Sequence, residues 1–280
     1  MKAVYEIATI QRDYGNRSDR KQARLKYTVD KYGTDWYRAE LEKRTGFALQ
    51  PPREFVFTER KDHFGWEQSQ SGDWHYTVFA ENGRVLDGKL KLKSALLAVA
   101  QTGKANFRFT CNQNVIISDV QEKDKKAVDA ILDHYGIDSH NNSISVARKN
   151  SMACVALPTC PLALAEAQRY LPSLMDNIEM LLQKHTLEEE EIIIRMTGCP
   201  NGCARSYAAE IGFVGTGPGR YNLHIGGDRL GTRLNRIYKE NIGEQEILNS
   251  LDTLFAGYRS GRTDGETFGD YAWRYMAGVE

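Results

Sequence analysis

From Trp74 the chain alternates apolar and polar residues through WHYTVFAE, reaches Asn82-Gly83 and resumes in RVLDG, which predicts a β-hairpin closed by an Asn-Gly turn. LKLKSALLAVAQTG carries apolar residues at helical spacing, FRFTCNQNVIISDV reads as two short strands around a polar bend, and KDKKAVDAILDHYG reads as a helix stopped by Gly136. The predicted order over this stretch is ββαββα. A polar linker, HNNSIS, precedes a long helical run from Pro161, kinked or broken at Pro172, with Leu174, Ile178, Leu181 and Leu182 on one face. EEIIIRM has the apolar run of a buried strand, IGFVG and YNLHIGG read as short strands, and EQEILNSLDTLFAGY as a final helix. Ahead of all this, a charged helical stretch from Asp19 to Arg44 sets Leu25, Val29, Trp36 and Leu41 among charges and is interrupted at Gly33; Pro51-Pro52 then marks a linker. The pattern is α+β in three pieces, 1–66, 67–141 and 142–280.

Charge and composition narrow the class. Thirty-seven Lys+Arg balance thirty-seven Asp+Glu, so no global basic field recommends nucleic acid or an anionic membrane as a partner. No apolar run approaches the roughly 18–20 residues of a membrane helix, and the opening MKAVYEIATIQRDYGNR lacks the continuous apolar stretch of a signal peptide. The expectation is a soluble, cytoplasmic chain.

The cysteines are the strongest chemical signal. Cys111 stands alone, whereas SMACVALPTCP holds Cys154 and Cys160, and TGCPNGCARS holds Cys199 and Cys203. An odd count without a secretory leader argues for metal or redox chemistry over a disulfide framework. Each pair is expected where a helix begins, at Pro161 after Cys160 and at ARSYAAE after Cys203, because a helix N-terminus stabilises anionic sulfur. Structural zinc pairs usually run C-x2-4-C, and the C-x5-C here falls outside that habit. Wider, unequal spacing with adjacent prolines and glycines accommodates a four-cysteine iron–sulfur cluster, a larger object than one ion. Zinc and unrelated core cysteines are the alternatives. Cys111, with no partner at ligand spacing, reads as a buried small residue.

The C-x5-C…TGCPNGC arrangement, flanked by NSMACVALPTCPLALAEA and YNLHIGGDRLGTRLN, resembles the sirohaem–4Fe–4S sulfite and nitrite reductases, and the flanking blocks point to the haemoprotein components of the bacterial NADPH-dependent branch. The likeness runs from KAVYEIATIQRDYGNR almost to FGDY, so nearly the whole chain takes part. It implies ferredoxin-like sulfite/nitrite reductase halves with a C-terminal cysteine-bearing α+β domain. Residues 1–66 would be the remnant of a preceding domain and its linker, 67–141 a ferredoxin-like half-domain, and 142–280 the domain that holds sirohaem and cluster. Cys154, Cys160, Cys199 and Cys203 become the cluster ligands, and the sulfur of Cys203 also reaches the sirohaem iron. Gly202 would give the tight backbone before that ligand or serve as an ordinary turn glycine. Arg108, Thr110, Asn112 and Gln113 in RFTCNQN become candidates to bind the macrocycle's carboxylates, or a bend whose side chains satisfy loop backbone. Asn201 would hydrogen-bond cluster or haem, or support the loop.

The activity implied is six-electron reduction of sulfite to sulfide, with electrons from NADPH passing through a flavoprotein alpha subunit. Family members are about twice this length, and this chain corresponds to their second half. It is therefore expected to be incomplete alone, completed by a separate N-terminal half if one exists, and the family's sulfite-binding cations and C-terminal extension are not matched. The alternatives are a ferredoxin-dependent sulfite or nitrite reductase and a non-catalytic iron–sulfur or zinc-stabilised module.

Overall fold

The computed structural model describes residues 1–278, and the described chain divides into two compact units, one of residues 1–56 and one from Phe57 onward. The first unit is helical: α1 (Lys2–Tyr14), α2 (Leu25–Tyr32) and α3 (Thr34–Thr45), with the chain interrupted at Gly33 as the sequence predicts. Ile10 of α1 and Leu41 of α3 are buried. Beside them, Arg44 donates to Thr9 Oγ1 at 2.9 Å and to Asp13 Oδ2 at 2.8 Å, and the Tyr32 and Trp36 rings stack with centroids 4.4 Å apart.

The second unit opens with β1 (Gly65–Gln68), β2 (Trp74–Val78), α4 (Leu92–Gln101), β3 (Asn106–Phe109), β4 (Val115–Val120) and α5 (Glu122–His134). The strands form an antiparallel sheet in the order β1-β2-β4-β3. Alternation along β2 and β4 sends Tyr76, Val78, Val115 and Ile117 into one core with Ala95 and Val99 of α4 and Val128 and Leu132 of α5. The order is ββαββα, but the hairpin differs from the one predicted. β2 pairs with β1 around Ser69–Asp73, where Gly72 N–H donates to Ser69 O at 3.0 Å, and RVLDG forms no strand. Asn82 and Gly83 do take the left-handed conformation that an Asn-Gly turn requires, at φ 51° and 72°. Asn82 is nevertheless buried, and it exchanges hydrogen bonds with Gln168, Nδ2 donating to Gln168 O at 3.3 Å and Gln168 Nε2 to Asn82 O at 2.8 Å. The turn chemistry docks this loop on the next layer instead of closing a hairpin.

α6 (Ile137–Ser143) and α7 (Val146–Lys149) then lead into a mixed sheet. HNNSIS is thus mostly helical, anchored by Asn141, whose Nδ2 donates to Thr77 O and whose Oδ1 accepts from Phe79 N–H. The sheet runs β5 (Ser151–Ala153), β6 (Ile194–Thr197), β7 (Ile211–Gly217), β8 (Arg220–Ile225) and β9 (Arg236–Ile242) in spatial order; β5, β6 and β7 are parallel, and the rest antiparallel. Between β5 and β6 lies α8 (Leu171–Lys184), and α9 (Glu244–Gly261) and α10 (Phe268–Ala277) close the described chain. There is no helix from Pro161; residues 161–170 make turns, and Pro172 sits in the first turn of α8, where its missing N–H costs nothing. Leu174, Ile178 and Leu182 of α8, with Leu251, Leu254 and Phe255 of α9, pack on Ile194, Met196, Ile211, Phe213, Leu223 and Ile225.

Among the described residues no helix is long and apolar enough to cross a membrane.

Candidate functional site

Strand alternation decides where the cysteines go. Ile194 and Met196 face the helices, so Arg195 and Thr197 face the opposite side of the sheet, where Arg195 is only 3% exposed and Thr197 fully buried. That side is covered by the chain after β6, which carries Cys199 and Cys203 and folds back over the strand it has just left. Thr197 Oγ1 lies 3.0 Å from Ser206 Oγ, and Asn235 Nδ2 donates to Ser206 O at 2.7 Å and Ala209 O at 2.9 Å. The Tyr207 ring meets His224 of β8 edge-on at 5.3 Å.

The other cysteine loop leaves β5 beside it. Cys154 N–H continues the parallel ladder onto Met196 O at 3.1 Å, and Cys160 N–H returns to Ala156 O at 2.8 Å. Gly198 stitches the two loops together. Its N–H donates to Cys154 Sγ at 3.3 Å, and its carbonyl accepts from Leu164 N–H at 2.7 Å and Ala165 N–H at 3.0 Å. A Cβ here would stand 2.6 Å from both Ala156 Cβ and Ala165 O, so only glycine permits this approach. Gly202 has the φ > 0 expected of it, at 67°, and lies against the Tyr207 ring.

The four thiols differ in exposure: Cys199 is buried, Cys154 and Cys160 are half-buried, and Cys203 is exposed. Burial pushes the Cys154 thiol up, partly offset by hydrogen bonds from the Gly198 and Ala156 backbone, with repulsion from Cys203 and Cys199 adding to the rise. That repulsion comes from the second loop, which the Gly198–Cys154 hydrogen bond holds against the first. Among the described residues no three His, Cys, Asp or Glu side chains are placed to share one metal ion, so the arrangement does not suit a single zinc. The two facing loops carry four cysteine thiols, which could hold a cluster wider than one ion. Neither pair begins a regular helix, since Cys160 is followed by turns and Cys203 by a single 3-10 turn, Ser206–Ala208. At Cys154 the backbone N–H of Gly198, with that of Ala156, takes the place of a helix end.

The RFTCNQN bend between β3 and β4 is brought to the same region, but its side chains mostly face inward. Thr110 Oγ1 donates to Asp62 Oδ2 at 2.6 Å, Asn112 Nδ2 to Asp62 Oδ1 at 3.1 Å and to Arg60 O at 3.0 Å, and Gln113 Nε2 to Ala153 O at 3.0 Å. Arg108 pairs with Asp119 at 2.6 Å on the open edge of the sheet. Asn201 lies exposed in the turn between Cys199 and Cys203. Cys111, expected to be buried, is exposed, because the bend turns its polar residues toward Asp62 and leaves the thiol outside.

Sequence reasoning missed Arg205, which ties the bend to the cysteine loop. Its Nη2 donates to Cys111 O at 2.7 Å and Asn112 Oδ1 at 2.9 Å. Its place two residues beyond Cys203 was the available signal.

Residues 67–135 match the nitrite/sulfite reductase ferredoxin-like half domain, and residues 1–49 match the nitrite and sulphite reductase 4Fe-4S domain, a stretch that contains none of the five cysteines. The chain belongs to the nitrite and sulfite reductase family. It is 57% identical over 272 residues to a protein of Leptospira biflexa named sulfite reductase (NADPH) hemoprotein beta-component, covering 97% of this chain and 49% of the relative. It is 50% identical to the protein of the same name from Escherichia coli K12, covering 96% of this chain and 47% of that one. The solved structure of the Mycobacterium tuberculosis NirA protein superposes with a TM-score of 0.80 at 25% identity, over 98% of this chain and 52% of that one. The chain thus spans about half the length of the curated relatives it matches.

Proposed function

We propose that this chain is the cofactor-bearing half of an assimilatory sulfite reductase haemoprotein, in which sulfite undergoes six-electron reduction to sulfide with electrons drawn from NADPH through a flavoprotein alpha subunit. The observation that carries the proposal is the double attachment of Gly198, which sets the Cys154–Cys160 loop against the Cys199–Cys203 loop. Cys154, Cys160, Cys199 and Cys203 would hold a 4Fe–4S cluster. Cys203, the exposed member, would also present its sulfur to the iron of sirohaem. When bound, these groups supply the electron storage and transfer that no side chain provides. The protein's part is to fix the sulfurs and shield them. Arg205 holds the RFTCNQN bend beside Cys203, so Asn112, Gln113 and Thr110 would shape a wall of the macrocycle site. Arg108 would bind a carboxylate only by leaving Asp119. Exposed Val155, Leu162 and Leu164 on the cysteine loops offer apolar surface beside the sulfurs.

Residues 1–66 would then be the end of a preceding domain, 67–141 the ferredoxin-like half and 142–280 the cofactor domain.

The test is iron, acid-labile sulfide and macrocycle content per chain after anaerobic purification. Cys199→Ser should lose most iron and sulfide, because a cluster that takes four thiolates would be left with three, whereas Cys111→Ala should leave both unchanged. Iron and sulfide fully retained in Cys199→Ser, or zinc without sulfide in the wild type, would refute the ligand set. Sulfite against nitrite turnover in the assembled enzyme decides the substrate.

A further inference from the structure

Beyond the cysteine loops, the structure buries a cation without a counter-ion. Arg195 of β6 is 3% exposed, and its Nε and Nη1 have no hydrogen-bond partner among the described residues. A buried guanidinium left in that state costs several kcal/mol, and burying a polar group without a partner is costly even when it is neutral. Such groups persist where something outside the fold completes them. Arg195 lines a narrow recess together with Arg60, Asp62, Asn112 and Lys149. Arg60 is held by its Nη2, which donates to Ala208 O at 2.6 Å, while its Nε is also buried and unpartnered. The recess itself admits about one oxygen-sized atom, and a neighbouring cavity of about 180 Å³ shares Arg60, Asn150 and Ile193 with it.

The charges around the two spaces differ. Three cations, Arg60, Lys149 and Arg195, and one anion, Asp62, line the recess. Both oxygens of Asp62 are already occupied by Thr110, Asn112 and Asn114. In the wider cavity Glu191 is matched by Lys61 at 2.6 Å and Arg229 at 3.7 Å, and Glu59 shares a hydrogen bond with His63 Nε2 at 2.7 Å. Asp228 and Glu210 act on Arg60 from outside the lining, so the cation that no carboxylate meets is Arg195.

We propose that this recess is a binding site for a small inorganic dianion of the sulfate class, with one oxygen seated between Arg195 and Arg60 and the remainder in the wider cavity. Two guanidinium groups with free N–H donors suit an oxyanion, because charge-assisted hydrogen bonds from arginine are directional and about twice as strong as neutral ones. The crowding of cations is consistent with this. Burial, with Arg60 and then Arg205 adding repulsion, pulls the Arg195 guanidinium down to about 9, so it stays protonated at neutral pH yet gains from an anion. None of the four paired cysteines lines the recess.

The experiment uses the chain as purified, with its cofactor content measured, and sulfate as the probe. Thermal unfolding is followed in sodium sulfate and in sodium chloride at matched ionic strength, for wild type, Arg195→Met and Lys149→Gln. In the wild type, low-millimolar sulfate should raise Tm by about 2–4 °C over chloride. Arg195→Met should abolish that increment and should keep or raise Tm without sulfate, since an unpaired buried charge has been replaced by an apolar side chain of similar length. Lys149→Gln, at a partly exposed position, should reduce sulfate affinity severalfold with Tm unchanged, and it tests the site independently if Arg195→Met fails to fold. Crystals soaked in selenate should show a selenium peak at Arg195. Equal Tm in sulfate and chloride, an undiminished sulfate response in both variants, or no selenium peak would overturn the proposal.

Discussion

The two sheets of the second unit solve the problem of a half-buried surface in opposite ways. The four-stranded sheet spends its alternation on a single core and ends at β3, whose four residues are all exposed, Phe109 at 83%. The five-stranded sheet is covered on both faces, by α8, α9 and α10 on one and by the cysteine loop on the other, and it accepts Arg195, Thr197 and His224 as buried polar residues in return. Apolar alternation builds the core of the first sheet, with the small side chains of Thr77 and Ser118 buried in the same strands. The second shows that polar residues at inward strand positions mark where a loop, and the chemistry it carries, has been laid against the sheet.

The comparison can be broken most severely at Gly198. Valine there would drive its Cβ against Ala156 and the Ala165 carbonyl, and we expect a loss of about 3 kcal/mol or more, together with most of the iron, read by urea unfolding and metal analysis. The hinge between the sheets is next. Arg148, 11% exposed, holds Glu81 at 2.6 Å, Glu179 at 2.8 Å and Asp176 at 2.5 Å. Arg148→Met should cost about 2 kcal/mol, below the 3–5 of a fully buried pair, because Asp176 is largely in water. It should also expose the junction to proteolysis before either core.

A pH measurement sharpens the comparison further. Glu210, beneath the cysteine loop, is fully buried and accepts Ile193 N–H and Gly269 N–H, both at 2.9 Å. Burial pushes its carboxyl up to about 7, against the pull of those two donors and of Arg229 and Arg60. A carboxyl that binds its proton more tightly when folded than when unfolded contributes stability that is full below its unfolded value near 4.5 and lost as pH rises through 7. The urea midpoint should therefore fall between pH 5 and pH 7.5, by on the order of 1–2 kcal/mol. Glu210→Gln should be less stable throughout and lack that component. The smallest effect belongs to the open sheet: Phe109→Ser should change stability by no more than about 0.5 kcal/mol, since almost nothing packs on that ring. A larger loss there would mean that β3 is not the open edge.

The same contrast explains what could be read from the chain. WHYTVFAE, FRFTCNQNVIISDV and EEIIIRM were legible because strand alternation and apolar runs survive without their partners. The pairing of β2 was not, since Asn82-Gly83 has hairpin chemistry and only the contact with Gln168, far along the chain, shows its other use. Pro161 and Pro172 carry the same local signal, yet only Pro172 opens a helix, because Leu174, Ile178 and Leu182 behind it have a core to enter. β9 went unread because RIYKENI is mostly polar and is held by the backbone ladder to β8. The cysteine spacing was visible; the meeting of Arg60, Arg195 and Arg205 was not, since no local pattern joins residues so far apart.

Cys154 N–H bonds to Met196 O as one more rung of the β5–β6 ladder, and Gly198 N–H then bonds to Cys154 Sγ. Bringing two thiols together across a long loop ordinarily costs closure entropy that grows with the logarithm of loop length. Here that ordering accompanies formation of the β5–β6 ladder. The apo chain should accordingly be a folded receptor for its cluster, and assembly should proceed as insertion into a waiting cradle, at a rate set by delivery of iron and sulfide and not by a search of the polypeptide.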